Sequence, residues 1–163
     1  MSTKDNLQNA FAGESQANRK YLAFGKKAEE EGFKQVAKLF RAAAEAETVH
    51  AHNHLRVMGG IKKTKENIQE AIAGETYEFT KMYPQMIEEA KKEGNKEALR
   101  SFEIANKVEK IHADLYQKAL QHLGKNEDVE YYVCQVCGNT VEREAPDTCP
   151  ICGAPKSRFT KIG

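Results

Sequence analysis

Glu47-Thr48-Val49-His50 is the stretch on which the reading of this chain turns. Residues three apart lie on one face of a helix, so this carboxylate and this imidazole can point at the same metal ion. The pattern returns as Glu109-Lys110-Ile111-His112, and Phe40 and Phe102 precede the two copies at the same distance. Upstream, Ala10-Phe11-Ala12-Gly13-Glu14-Ser15 is matched by Ala71-Ile72-Ala73-Gly74-Glu75-Thr76, and Gly32 by Gly94. The pairs are offset by 61 or 62 positions. A two-helix unit is therefore repeated, and its carboxylate and histidine positions repeat best.

Two helices with a lone Glu and two with Glu-x-x-His are the ligand set of ferritin-like dinuclear carboxylate bundles. One such pair in a Glu-rich chain is usually a solvated helix face. A repeated pair, each with its own Glu after Ala-Gly, is hard to obtain from solvent-facing filler. Hard carboxylate oxygens with one nitrogen per metal suit iron or manganese. The candidate ligands are Glu14, Glu47, Glu75 and Glu109 with His50 and His112.

Working outward, residues 3–31 read as a first helix capped by Thr3 or Asp5, with Leu7, Phe11, Glu14, Tyr21 and Phe24 on a 3.6-residue stripe. A lone carboxylate inside that stripe is costly to bury, and a metal removes the objection. Gly32 breaks the helix; residues 33–58 resume it with Val36, Leu39, Phe40, Glu47, His50, His54 and Val57 on one side. After Gly59-Gly60 comes a connection over 61–70, with a short helix possible from Thr64. A third helix is expected over 68–92, kinked near Tyr83 by Pro84. Gly94-Asn95 turns the chain into a fourth helix over 96–123, which Gly124 stops. Residues 1–123 thus read as the helical bundle, 124–130 as a polar linker and 131–163 as a second, small domain.

Glu78 lies three residues after Glu75 and so faces the same interior, where the first half of the repeat has Ala17. A plain exposed charge is the bland explanation; its position on the helix favours the site. His52 points away from the ligand face, His54 shares it one turn beyond, and His122 suits a helix C-terminus. Tyr21 and Tyr83 are close enough to hydrogen-bond a ligating carboxylate, and core packing would also explain both.

The small domain holds all four cysteines as Cys134-Gln135-Val136-Cys137-Gly138 and Cys149-Pro150-Ile151-Cys152-Gly153. Each is a knuckle whose turn aims backbone N–H groups at the sulfurs. Four thiolates make a tetrahedral site for zinc or iron, and the knuckles taken alone slightly favour a structural zinc ribbon. Their clustering fits a metal site in a reducing compartment better than a disulfide framework. A formal charge of +1 offers no basic excess for nucleic acid. With no apolar run near a membrane span and no apolar N-terminal signal, the expectation is a cytoplasmic protein without a membrane partner.

Taken together, these motifs resemble those of the rubrerythrins: Ala-Gly-Glu14, Glu47 to His50, Glu75-Thr76-Tyr77-Glu78, Glu109 to His112, and the two knuckles ending in Gly153-Ala154-Pro155-Lys156. The resemblance covers essentially the whole chain. It implies a mainly α fold, a ferritin-like four-helix bundle followed by a small rubredoxin-like domain. It implies a non-haem di-iron peroxidase that reduces hydrogen peroxide to water in oxidative-stress defence. Electrons would come from NAD(P)H through external partners, a rubredoxin or reductase-type donor, and enter at one iron (or zinc) held by Cys134, Cys137, Cys149 and Cys152. By the same resemblance Glu47 and Glu109 would bridge two irons, Glu75 and His112 complete one, and Glu14 bind the other. There Glu78 and His50 would exchange with redox state, flanked by Tyr21 and Tyr83.

The main alternative is a ferritin-like ferroxidase or iron-binding protein with a structural zinc ribbon. A dimanganese catalase-like bundle and a zinc-ribbon docking module are further rivals, and neither needs an electron relay. A homodimer or larger assembly is expected, because long helices carry apolar residues on more than one face. The fourth helix leads away from the metals, so the cysteine domain of one chain is expected to serve the bundle of another.

Overall fold

Ser2 begins the first helix one residue ahead of the expected caps. Its hydroxyl accepts from the Asp5 backbone N–H at 3.2 Å, and the Asp5 carboxylate accepts from the Ser2 N–H at 2.7 Å. This reciprocal box satisfies two otherwise orphaned donors and is worth about 1 kcal/mol. In this computed structural model, which describes residues 2–163, α1 runs over Thr3–Glu30 and α2 over Lys34–Val57. Gly32, at φ 86°, makes the turn between them.

The α1–α2 hairpin closes on small residues. Ala37, Ala44 and Ala51 recur every seven positions and are all buried, and Gly25 lets the Ala37 carbonyl and the Phe40 Cβ approach to 3.4 Å of where a Cβ would stand. Of the larger apolar residues of the expected stripe, Phe40 packs on Tyr21 and Phe24 of α1, whereas Leu39 is 67% exposed and Val57 59%. Asn18, buried, pins the helices by donating to the Ala44 carbonyl at 2.7 Å and the Thr48 hydroxyl at 2.8 Å. Those bonds lie one turn beyond Glu14 and beside Glu47, so they fix how the two ligand-bearing turns face each other.

The third helix starts at Thr64 rather than residue 68, and the short helix expected at Thr64 is simply its first turn: α3 spans Thr64–Tyr77. A π-helical segment, Glu78–Met82, then leads into α4, Tyr83–Glu93. Pro84 supplies no N–H, and the chain absorbs that loss by widening a turn ahead of it, where a sharp kink was expected. Gly94, at φ 68°, and the Asn95 cap open α5, Lys96–Gln121. Both α3 and α4 pack on α5.

After α5, β1 (Tyr131–Cys134) is the centre of a three-stranded antiparallel sheet flanked by β2 (Thr140–Glu142) and β3 (Phe159–Ile162). Tyr132 pairs with Val141 on one side and Lys161 on the other. Two compact units result, Met1–Lys62 and Lys63–Gly163, and residues 124–130 lie inside the second. Within that unit the linker doubles back along α5. Asn126 donates to the Ala119 carbonyl at 3.0 Å, Arg143 pairs with Glu127 at 2.6 Å, and Lys118 of α5 pairs with Glu142 of β2. The cysteine domain therefore rests on α5 of its own chain, contrary to the expectation that the linker would carry it elsewhere. Among the described residues no helix is long and apolar enough to cross a membrane.

Candidate metal centres

Glu14 of α1 and Glu47 and His50 of α2 form one carboxylate–imidazole group in the first unit. His50 Nδ1 lies 3.0 Å from Glu47 and 3.9 Å from Glu14. In the second unit Glu75 of α3 joins Glu109 and His112 of α5, with His112 Nδ1 at 2.9 Å from Glu109 and 3.7 Å from Glu75. The repeat in sequence is thus a repeat in geometry, with the same ring nitrogen turned to the carboxylates. In each group the donor atoms lie within 4.8 Å of one another, so small side-chain adjustments would gather them round one ion.

Within each group the carboxylates perturb one another. A shared hydrogen bond with Glu47 raises the Glu14 pKa, while Glu47 is lowered by that bond and by His50. Burial and then the Glu109 charge push Glu75 up to about 7. Glu78, half-buried, is also raised, first by burial and then by Glu109. It lies near Glu109 and His112 but outside the tight cluster. Tyr83 is raised by burial and by the charges of Glu109, Glu78 and Glu75.

The phenols take a position that the sequence reading did not specify. Tyr21 packs on Phe40 with ring centroids 6.0 Å apart, and Tyr83 on Phe102 at 6.3 Å. These pairs are themselves repeat-related, and the constant offset of Tyr21 to Tyr83 and Phe40 to Phe102 was the available signal. Neither hydroxyl bonds a carboxylate among the described residues. His52 is exposed, His54 half-buried, and His122 caps α5 by donating from Nδ1 to the Lys118 carbonyl at 2.9 Å.

At the knuckles, Cys134 Sγ and Cys152 Sγ are 3.8 Å apart and Cys137 Sγ and Cys149 Sγ 3.6 Å. A tetrahedron with metal–sulfur bonds of about 2.3 Å has edges of about 3.8 Å, so the four sulfurs fit one ion. Gly138 and Gly153, at φ 81° and 77°, let each chain turn close behind its sulfurs. Burial opposes the Cys149 thiolate, yet backbone N–H groups of Cys152 and Ile151 bring its pKa down to about 7. Asn139, buried, adds donors the sequence did not advertise: its N–H lies 3.5 Å from Cys137 Sγ and its amide 3.7 Å from Cys149 Sγ.

Thr140 was also missed. Its Oγ1 stands 3.0 Å from His112 Nε2 and donates to the Gly138 carbonyl at 3.1 Å. Nothing short of the folded-back linker could have brought Thr140 and His112 together on paper.

Comparison with known proteins agrees with these observations. Residues 5–120 match the rubrerythrin family model, and residues 132–160 match that of the rubrerythrin rubredoxin-like domain. Rubrerythrin-2 of Clostridium acetobutylicum is 38% identical, with 96% of this chain and 95% of the relative covered. Nigerythrin of Nitratidesulfovibrio vulgaris is 35% identical over 98% of this chain and 86% of its own length. A solved structure of nigerythrin in its fully reduced, all-ferrous state superposes with a TM-score of 0.59 at 35% identity, covering 99% of this chain and 87% of that one. The fold class is accordingly mainly α and ferritin-like, with a rubredoxin-like C-terminal part. The donor sets are those of two non-haem irons and of one four-cysteine iron or zinc.

Proposed function

Because this chain belongs to the rubrerythrin family, we propose that it is a non-haem di-iron peroxidase reducing hydrogen peroxide to water. The observation that carries this reading is the pair of geometrically matched carboxylate–imidazole groups joined, in one chain, to a tetrahedral set of thiols. The family assignment makes it an oxidoreductase; peroxide as substrate is our inference. Each turnover breaks one O–O bond and takes up two electrons and two protons to give two waters. The carboxylates and imidazoles would hold two ferrous ions, which would supply the two electrons.

The protein's part is to hold, exchange and shield. By the family resemblance Glu47 and Glu109 would be the carboxylates shared by two irons, Glu75 and His112 would complete one, and Glu14 would serve the other. There Glu78 and His50 would alternate, the anionic carboxylate preferring ferric and the imidazole ferrous iron. Support comes from His50 itself: its side chain is 54% exposed, and Nε2 makes no hydrogen bond among the described residues of its unit. His112, by contrast, is held at both ring nitrogens. Tyr21 and Tyr83 flank the carboxylates as apolar walls carrying a phenol.

Cys134, Cys137, Cys149 and Cys152 receive electrons from a rubredoxin or an NAD(P)H-linked reductase. We further propose a cytoplasmic location, residues 1–123 as the di-iron part, 124–130 as linker and 131–163 as the relay. A homodimer or larger assembly is part of the same proposal. Its support is the set of large apolar residues left exposed, among them Phe33, Val36 and Leu39.

A second reading remains chemically open because four thiolates hold zinc as well as iron: a ferroxidase or iron-binding protein with a structural zinc ribbon. Metal analysis and the visible spectrum of the purified chain separate the two. Three irons per chain and the red colour of a ferric four-thiolate site are expected; one zinc and no red colour would overturn the relay.

A further inference from the structure

The second carboxylate–imidazole group differs from the first in one respect that the repeat does not predict. His112 Nε2 meets the hydroxyl of Thr140, a residue of β2 in the cysteine domain, at 3.0 Å. A threonine hydroxyl has one proton, and here it goes to the Gly138 carbonyl at 3.1 Å. The hydroxyl oxygen then accepts from the imidazole, so Nε2 carries a proton. Nδ1 faces Glu109 at 2.9 Å and Glu75 at 3.7 Å, where a proton bridges them in the metal-free chain and where an ion held by the same carboxylates would meet the ring.

Thr140 is itself fixed. Gly138 follows Cys137, the Gly138 N–H donates to the Cys134 carbonyl at 2.8 Å, and Lys118 of α5 pairs with Glu142 two residues beyond Thr140. The clasp on His112 is therefore anchored in the first knuckle.

We propose that Thr140 is a positioning residue for the neighbouring metal centre: its hydroxyl, set by the first cysteine knuckle, holds His112 in the Nε2–H tautomer with Nδ1 presented to the ion. The inference rests on reading His112 as a metal ligand. Outer partners of this kind orient a ligating imidazole and raise its basicity, and their loss costs about 10–100-fold in metal affinity. A hydroxyl from the cysteine domain also makes the two centres structurally dependent within one chain.

The test uses the full-length chain with zinc in its sites, comparing Thr140→Val, which keeps the shape, with Thr140→Ser, which keeps the hydroxyl. In the wild-type protein and Thr140→Ser, NMR of the ring nitrogens should show a His112 Nε2 proton protected from solvent exchange. Thr140→Val should lose that protection, while the His50 ring is unchanged. Manganese(II) titration followed by electron paramagnetic resonance should show affinity falling about 10–100-fold in Thr140→Val alone. Unchanged affinity and protection in Thr140→Val would overturn the proposal, as would Thr140→Ser behaving like Thr140→Val. If Thr140→Val fails to retain zinc, the wild-type exchange rate decides: a rapidly exchanging His112 Nε2 proton rules the clasp out. A wild-type chain that binds no manganese at all would sink the ligand assignment as well, which separates the two failures.

Discussion

Glu78 has no acidic counterpart in the first half of the repeat, where Ala17 stands. Burial and the nearby Glu109 already raise its pKa, so in the metal-free chain its charge is a mild liability. Glu78→Ala should therefore melt at or slightly above the wild-type temperature while turning over peroxide more slowly; equal turnover would remove Glu78 from the site. Glu75 gives a pH signature. Its folded pKa of about 7 lies above the ordinary 4.5, so its contribution to stability is full below about 4.5 and is lost as pH rises through about 7. Metal must displace that proton. Calorimetric titration of the metal-free chain should show proton release on metal uptake that is larger at pH 6 than at pH 8; a pH-independent release would contradict the assignment. The grouping of Glu14, Glu47 and His50, of Glu75, Glu109 and His112, and of the four cysteines was legible because spacing alone puts each set within reach. Asn139 and Thr140 were not, since their importance comes from what the folded chain lays against them.

The elements show the same division between local and tertiary information. Helix ends came out within a few residues because glycines and caps announce them, and the two hairpin turns fall at Gly32 and Gly94 as read. The seam between α1 and α2 was misjudged. Periodicity drew attention to Val36, Leu39, Phe40 and Val57; Phe40 does pack on α1, but the helices otherwise meet on Ala37, Ala44 and Ala51, whose small size allows close approach. Alanine carries little weight in a hydrophobic stripe, so its seven-residue recurrence passed unread. Enlarging that seam should be felt directly: Ala44→Leu should cost about 1–3 kcal/mol through overpacking, read as a lower thermal midpoint. An unchanged midpoint would mean the seam is looser than the structure shows. The π-helical segment is the other departure. Proline predicted an interruption, but its form, a widened turn beginning at Glu78, depends on how α3 and α4 both stay packed on α5.

At the scale of the whole molecule, the sequence divided the chain by chemistry into carboxylate and thiolate parts. The compact units divide it differently, with the cysteine domain and the second hairpin together. Seven polar linker residues gave no hint of that, because their reach permitted a return along α5 as readily as an excursion. The contacts of Lys118 with Glu142 and of His112 with Thr140 are long-range in sequence and appear only once the linker turns. On the function proposed above, electrons taken up at the thiolates would be spent on peroxide at the carboxylates. The most direct measurement is rapid mixing of the fully reduced, iron-loaded chain with hydrogen peroxide, and separately with air-saturated buffer, following the return of the red four-thiolate absorbance. Reoxidation much faster with peroxide than with air is the expected result; oxidation by peroxide no faster than by air would contradict the assignment.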